Sequence, residues 1–88
     1  MITRTVMVSN PDGLHLRPAG KIASLASSYQ SQIELERSGQ IADCRSMIGL
    51  LTLGAAQGTE LILRVQGPDA DDAIEAITKL FDTQFDEP

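Results

Sequence analysis

Gln32-Ile33-Glu34-Leu35-Glu36-Arg37-Ser38-Gly39-Gln40-Ile41-Ala42-Asp43-Cys44 is the stretch that decides the fold. Ile33 and Leu35 alternate with Glu34 and Glu36, which puts the apolar pair on one face of a strand and the carboxylates on the other. Ser38-Gly39 make a two-residue turn, and Ile41 to Cys44 return beside the first arm as a β-hairpin. Working toward the N-terminus, Pro18 and Ala19 open an amphipathic helix of about three turns, in which Ile22, Leu25, Ala26 and Tyr29 recur at spacings of three and four. Proline lacks an N–H and so suits a first helical turn, which places the helix start within a residue or two of His15 to Arg17. Before it, residues 2 to 9 alternate as a strand with Val6 and Val8 on one face, closed by the turn Asn10-Pro11-Asp12-Gly13. Toward the C-terminus, Ser46 and Gly54 bracket the short apolar run Met47 to Leu53 as N-cap and C′ residues of a two-turn helix. Leu61, Leu63 and Val65 then form the last strand, ended by Gly67-Pro68. Asp69 opens a second long helix, with Asp72 near the capping-box position, Asp71 and Glu75 complementing the dipole, and Ala73, Ile74, Ile77, Leu80 and Phe81 as the buried stripe. The order is β-α-β-β-α-β-α. Four strands with a hairpin at their centre predict an α+β open-faced β-sandwich: a four-stranded antiparallel sheet with three helices on one face, as one domain over residues 1–88.

The composition is that of a small globular domain: 88 residues, 42% hydrophobic and 22% charged. At that size there is little room for a deep, walled-off cleft. A formal charge of −5 argues against the broad basic footprint that nucleic acid or an anionic membrane requires, so proteins or small ligands are the expected partners. The single cysteine, Cys44, cannot form an intramolecular disulfide and fits a reducing cytoplasm. One His and one Cys leave no structural zinc site, and no metal or other cofactor is expected. The longest apolar stretch, Met47 to Ala56, is too short and too interrupted to span a bilayer, and Met1-Ile2-Thr3-Arg4 leads into no secretory segment.

The chemistry concentrates in Gly13-Leu14-His15-Leu16-Arg17-Pro18-Ala19. An imidazole can act as a nucleophile near neutral pH without a metal. A phosphoryl group gained there carries about two negative charges and needs donors. Backbone N–H groups around residues 16 and 17, the helix dipole and the Arg17 guanidinium supply them within a few residues. A lone histidine is more often an idle surface residue; the neighbouring Arg17, Pro18 and helix entrance are what separate His15 from that reading. Ser46 is explained by capping alone, and Met47, Ile48 and Leu51 are ordinary core types. A two-turn helix that is apolar all round nevertheless cannot bury every side chain against one sheet, so part of it is expected to face a partner.

These segments together resemble the histidine-containing phosphocarrier family, HPr, of the bacterial phosphoenolpyruvate-dependent phosphotransferase system. Gly13 to Ala19 is similar to the family's active-centre motif, Arg45-Ser46-Met47-Ile48-Gly49-Leu50 resembles its regulatory-serine segment, and length and element order agree throughout. The resemblance implies that His15 accepts phosphate on Nδ1 from phosphorylated Enzyme I and hands it to an Enzyme IIA, with Arg17 holding the group. It implies a substrate of phosphotransferase enzymes rather than a free-standing catalyst, a monomer, and a role in sugar uptake or its regulation. Ser46 becomes the counterpart of the serine modified by an HPr kinase/phosphorylase, and Leu16, Lys21, Arg45, Met47, Ile48 and Leu51 become docking residues. Leu16 stands where a small residue or threonine is usual. Ser24 and Ser27 stand where some members carry lysines, leaving Arg17, Lys21 and Arg45 as the basic patch. The ending Leu80 to Glu87 is similar to that of nitrogen-branch carriers, NPr. Two other readings remain: a purely regulatory binding module using Ser46 and the apolar helix, and a small acylphosphatase-like hydrolase.

Overall fold

The hairpin forms as its alternation demands. In the computed structural model, which describes residues 1–86, β2 (Gln32–Arg37) and β3 (Gln40–Asp43) pair antiparallel. Ser38 and Gly39 both take positive φ, +50° and +86°, the backbone of a two-residue hairpin loop whose twist matches the right-handed twist of the strands it joins. Around this hairpin lie β1 (Ile2–Met7) and β4 (Glu60–Gln66), and the sheet order is β1-β4-β2-β3, antiparallel throughout. The three helices, α1 (Leu16–Ala26), α2 (Met47–Thr52) and α3 (Ala70–Asp82), cover one face, as the element order predicts. Glu87, the last residue of the ending compared above, and Pro88 lie outside the described residues.

The core lies between sheet and helices. Val6, Ile33, Leu35, Ala42, Leu61, Leu63 and Val65 meet Ala19, Ile22 and Ala26 of α1, Leu50 of α2, and Ala73, Ile74, Ile77 and Phe81 of α3. On the opposite face of the sheet, Glu36 pairs with Arg64 at 2.5 Å across β2 and β4.

One helix end and one helix cap differ from expectation. Helix α1 stops at Ala26, so Tyr29 packs on the core from the following loop rather than from the helix. The hydroxyls of Ser27 and Ser28 bond back to the carbonyls of Ala23 and Leu25, occupying acceptors at the last turn. Asp69 occupies the N-cap position of α3, but its side chain caps nothing there. Its carboxylate accepts instead from the Gln30 and Ser31 backbone N–H groups, both at 2.9 Å, and from the Ser31 hydroxyl at 2.5 Å. The bond from the Ser31 hydroxyl, then that from the Gln30 backbone, hold the Asp69 carboxyl below its usual range. The loop after α1 is thereby clasped to the start of α3.

Past α3 the chain makes a turn at Gln84–Asp86 with three consecutive non-glycine residues left-handed, at φ +54°, +59° and +58°. Each such residue costs about 1–2 kcal/mol, so the turn exists because of what it anchors. Phe85 is fully buried and sits edge-on to Phe81, ring centroids 4.9 Å apart. Burying a phenyl contributes about 1.5–3 kcal/mol, and the aromatic pair about 0.5–1.5 kcal/mol more. The Lys21 ammonium completes the anchor by donating to the Phe85 carbonyl.

Candidate functional site

His15 is the N-cap of α1. Its backbone is extended at φ −88° and ψ −167°, and its carbonyl accepts the first helical bond, from Ala19 N–H at 3.0 Å. Its half-buried side chain does not itself cap the helix. The N–H groups of Leu16 and Arg17 precede that first bond and are directed toward the helix entrance, and Pro18, buried in the first turn, lacks the N–H that a third residue contributes.

The loop before His15 is built to hold it still. The Asn10 amide donates to the Gly13 carbonyl at 2.6 Å, and Gly13 N–H returns a bond to the Asn10 carbonyl at 3.1 Å. Leu14, buried, then donates its N–H to the Ala55 carbonyl at 2.8 Å. Gly13 stands at φ +70°, and a Cβ there would lie 2.7 Å from the Ala55 oxygen, so only glycine lets the turn press onto the segment before β4. Asn10, Ala55 and Ala56 are therefore supports of the site that sequence reading missed. The Asn-Pro-Asp-Gly turn signalled Asn10, whereas nothing in the sequence pairs residues 13 and 55.

Arg17 is exposed at the mouth of a shallow groove between α1 and the C-terminal turn, lined further by Gly20, Lys21, Ser24, Leu25, Leu80 and Asp86. Lys21 lies one turn along α1 from Arg17, on the same side of the helix.

Ser46 caps α2 as expected, its hydroxyl accepting from Gly49 N–H at 3.0 Å. The apolar surplus of this helix is visible: Leu50 is buried, while Met47, Ile48 and Leu51 are 36%, 79% and 38% exposed. The Met47 methyl lies against Gly20, 3.6 Å from where a Cβ would stand. Leu16, 63% exposed, is one turn before Gly20 on α1, so an apolar strip leads from the residue beside His15 to α2.

Arg45 is elsewhere. Its guanidinium donates to the carbonyls of Tyr29, at 2.6 Å, and Ser31, at 3.0 Å, beyond the far end of α1. An eleven-residue helix is about 16 Å long, which sets the Arg45 head group well away from the helix entrance. Of the expected basic patch, Arg17 and Lys21 lie on α1, whose N-cap is His15. Cys44 is buried, and burial, reinforced by Asp43 and Glu34, pushes its thiol up to about 12, which makes it inert. Among the described residues no three His, Cys, Asp or Glu side chains gather into a metal site, and no helix is long and apolar enough to cross a membrane.

With this geometry in hand, similarities to known proteins are informative. Residues 2–83 match the family PTS-HPr, described as the PTS HPr component phosphorylation site. The chain is 40% identical over 87 residues to the phosphocarrier protein HPr of Treponema pallidum, covering 99% of each sequence. It is 36% identical to the phosphocarrier protein NPr of Klebsiella oxytoca, covering 98% of this chain and 97% of that one. Among solved structures, HPr from Thermoanaerobacter tengcongensis superimposes with a TM-score of 0.95 at 34% identity, covering 100% of this chain and 99% of that one.

Proposed function

The chain belongs to the HPr family of phosphocarrier proteins of the phosphotransferase system, and on that premise we propose that His15 is the residue that carries the phosphoryl group. The lone pair on His15 Nδ1 attacks phosphorus as the bond to the donor breaks, and the electron pair of that bond leaves with the donor. Phosphorylated Enzyme I is the donor and an Enzyme IIA the acceptor. The single observation that supports this most is the position of His15 as N-cap of α1: the helix entrance directs N–H groups and the positive end of the dipole toward an incoming anion, and Arg17 stands two residues on. No cofactor takes part. The protein is a substrate that two enzymes modify in turn rather than a catalyst with turnover of its own.

Docking is assigned to the strip of Leu16, Met47, Ile48 and Leu51 with Arg17 and Lys21 at its border, a combination of apolar contact and positive charge suited to small, transient interfaces. One chain carries all of these residues, so a monomer suffices. A free, buried Cys44 fits exchange in a reducing cytoplasm. Ser46, at the N-terminus of α2 and next to Met47, is the regulatory site: a phosphate there, placed by an HPr kinase/phosphorylase, sets negative charge inside the docking strip. Incubation with phosphoenolpyruvate and Enzyme I, followed by mass spectrometry, is expected to give one acid-labile, base-stable phosphoryl adduct on the wild type and none on His15→Ala. Equal labelling of the variant removes His15 from the mechanism.

A further inference from the structure

The C-terminal turn touches the basic side of the site. Phe85 is buried against Phe81 of α3, its carbonyl accepts from the Lys21 ammonium, and Asp86 lines the same groove as Arg17 and Lys21. Lysine carries a long flexible stem with many rotamers, and holding its head group in one place costs conformational entropy on docking unless something has already fixed it. Here the carbonyl of a left-handed residue does so. A peptide carbonyl takes one of the three ammonium protons, which leaves two donors on Lys21, one turn along α1 from Arg17. A left-handed backbone on Gln84, Phe85 and Asp86, none of them glycine, is costly, and burial of the phenyl ring against Phe81 offsets that cost.

We infer that Phe85 is a positioning residue for phosphoryl transfer: by seating the C-terminal turn it fixes Lys21 beside Arg17, and so presents a preorganised pair of cations to an acidic docking surface on the phosphoryl donor. This rests on the carrier reading of His15 and adds to it a residue some seventy positions away that touches neither the phosphate nor the partner. Its effect belongs to binding. Losing the turn releases Lys21 into many conformers and weakens encounter, while the chemistry at His15 is unaltered once the complex has formed.

The test is a double-mutant cycle read by steady-state kinetics of phosphorylation by Enzyme I with phosphoenolpyruvate. Phe85→Ala is expected to raise KM about three- to tenfold with kcat within twofold of the wild type, and Phe85→Tyr or Phe85→Leu, which refill the pocket, to restore most of the loss. Lys21→Met is expected to raise KM similarly, and Phe85→Ala added to Lys21→Met to change nothing further. Because Phe85→Ala also removes core packing, thermal melting accompanies each variant, and a chain ending at Thr83 provides a second route to losing the turn. Additive effects of the two substitutions, a fall in kcat alone, or an unchanged KM in Phe85→Ala and in the truncated chain each overturn the role of Phe85. All of these variants still label on His15 if the carrier reading holds, so failure of labelling across the set, wild type included, is a separate outcome that strikes that reading instead.

Discussion

At the residue scale, His15 and Arg17 have different burdens. In the proposed transfer the histidine supplies the bond-forming lone pair and has no substitute. On the same proposal Arg17 shares the phosphoryl oxygens with the helix entrance, so its loss is expected to be partial. A hydrogen bond to a charged group is worth about 1.5–3 kcal/mol, and Arg17→Ala is accordingly expected to slow transfer about 10- to 100-fold without abolishing it. Rapid-quench rates with phosphorylated Enzyme I measure this, and wild-type rates in both directions make the guanidinium a bystander. Asp69 bears on stability instead. Its carboxyl is held below its usual range by the Ser31 hydroxyl first and the Gln30 N–H next, so the ionised form binds the fold more tightly than the protonated form does. The contribution is complete above the unfolded value of about 3.9 and is lost as pH falls through the lower folded value. Asp69→Asn is thus expected to melt below the wild type at neutral pH, with the gap closing only under more acidic conditions. A gap that persists unchanged through that acid range contradicts the assignment.

At the element scale, α2 is the most vulnerable piece. It is six residues long, and its entrance rests on one side-chain bond, from Gly49 N–H to the Ser46 hydroxyl. Removing an N-cap costs about 1 kcal/mol, which for a domain of this size lowers Tm by roughly 4–8 °C. Ser46→Ala is expected to show that loss, and Ser46→Asp to avoid most of it, because a carboxylate can accept the same bond and its charge favours a helix N-terminus. Phosphorylation follows the Asp variant in sign. Scanning calorimetry on the three proteins distinguishes them, and a phosphorylated form melting below Ser46→Ala refutes the electrostatic account.

At the scale of the whole molecule, sheet and helices form one core, and the strip from Leu16 to Ile48 runs over two helices that only the fold brings together. Ile48→Asp removes an exposed side chain and so is expected to change stability by no more than about 0.5 kcal/mol, yet to weaken Enzyme I binding about tenfold. Titration calorimetry at low salt, where charge effects are largest, checks it. Equal affinity of the variant and the wild type places docking on another face.

Element order, the hairpin, the sheet's buried face and the entrance to α1 were legible in the sequence, because each depends on local periodicity or on a turn residue whose backbone demands are its own. His15, Arg17, Pro18 and Ser46 fall within seven residues or fewer of the signals that place them, so the candidate site could be read along with the helices. Contacts between distant segments could not. The Asp69 clasp on Ser31, the seat of Gly13 against Ala55, the diversion of Arg45 to the carbonyls of Tyr29 and Ser31, and the burial of Phe85 under Lys21 join positions 14 to 64 residues apart. No periodicity encodes such pairs. They follow from packing, which brings a charged or apolar side chain to whichever distant backbone group or ring is left to meet it, and that choice belongs to the tertiary structure alone.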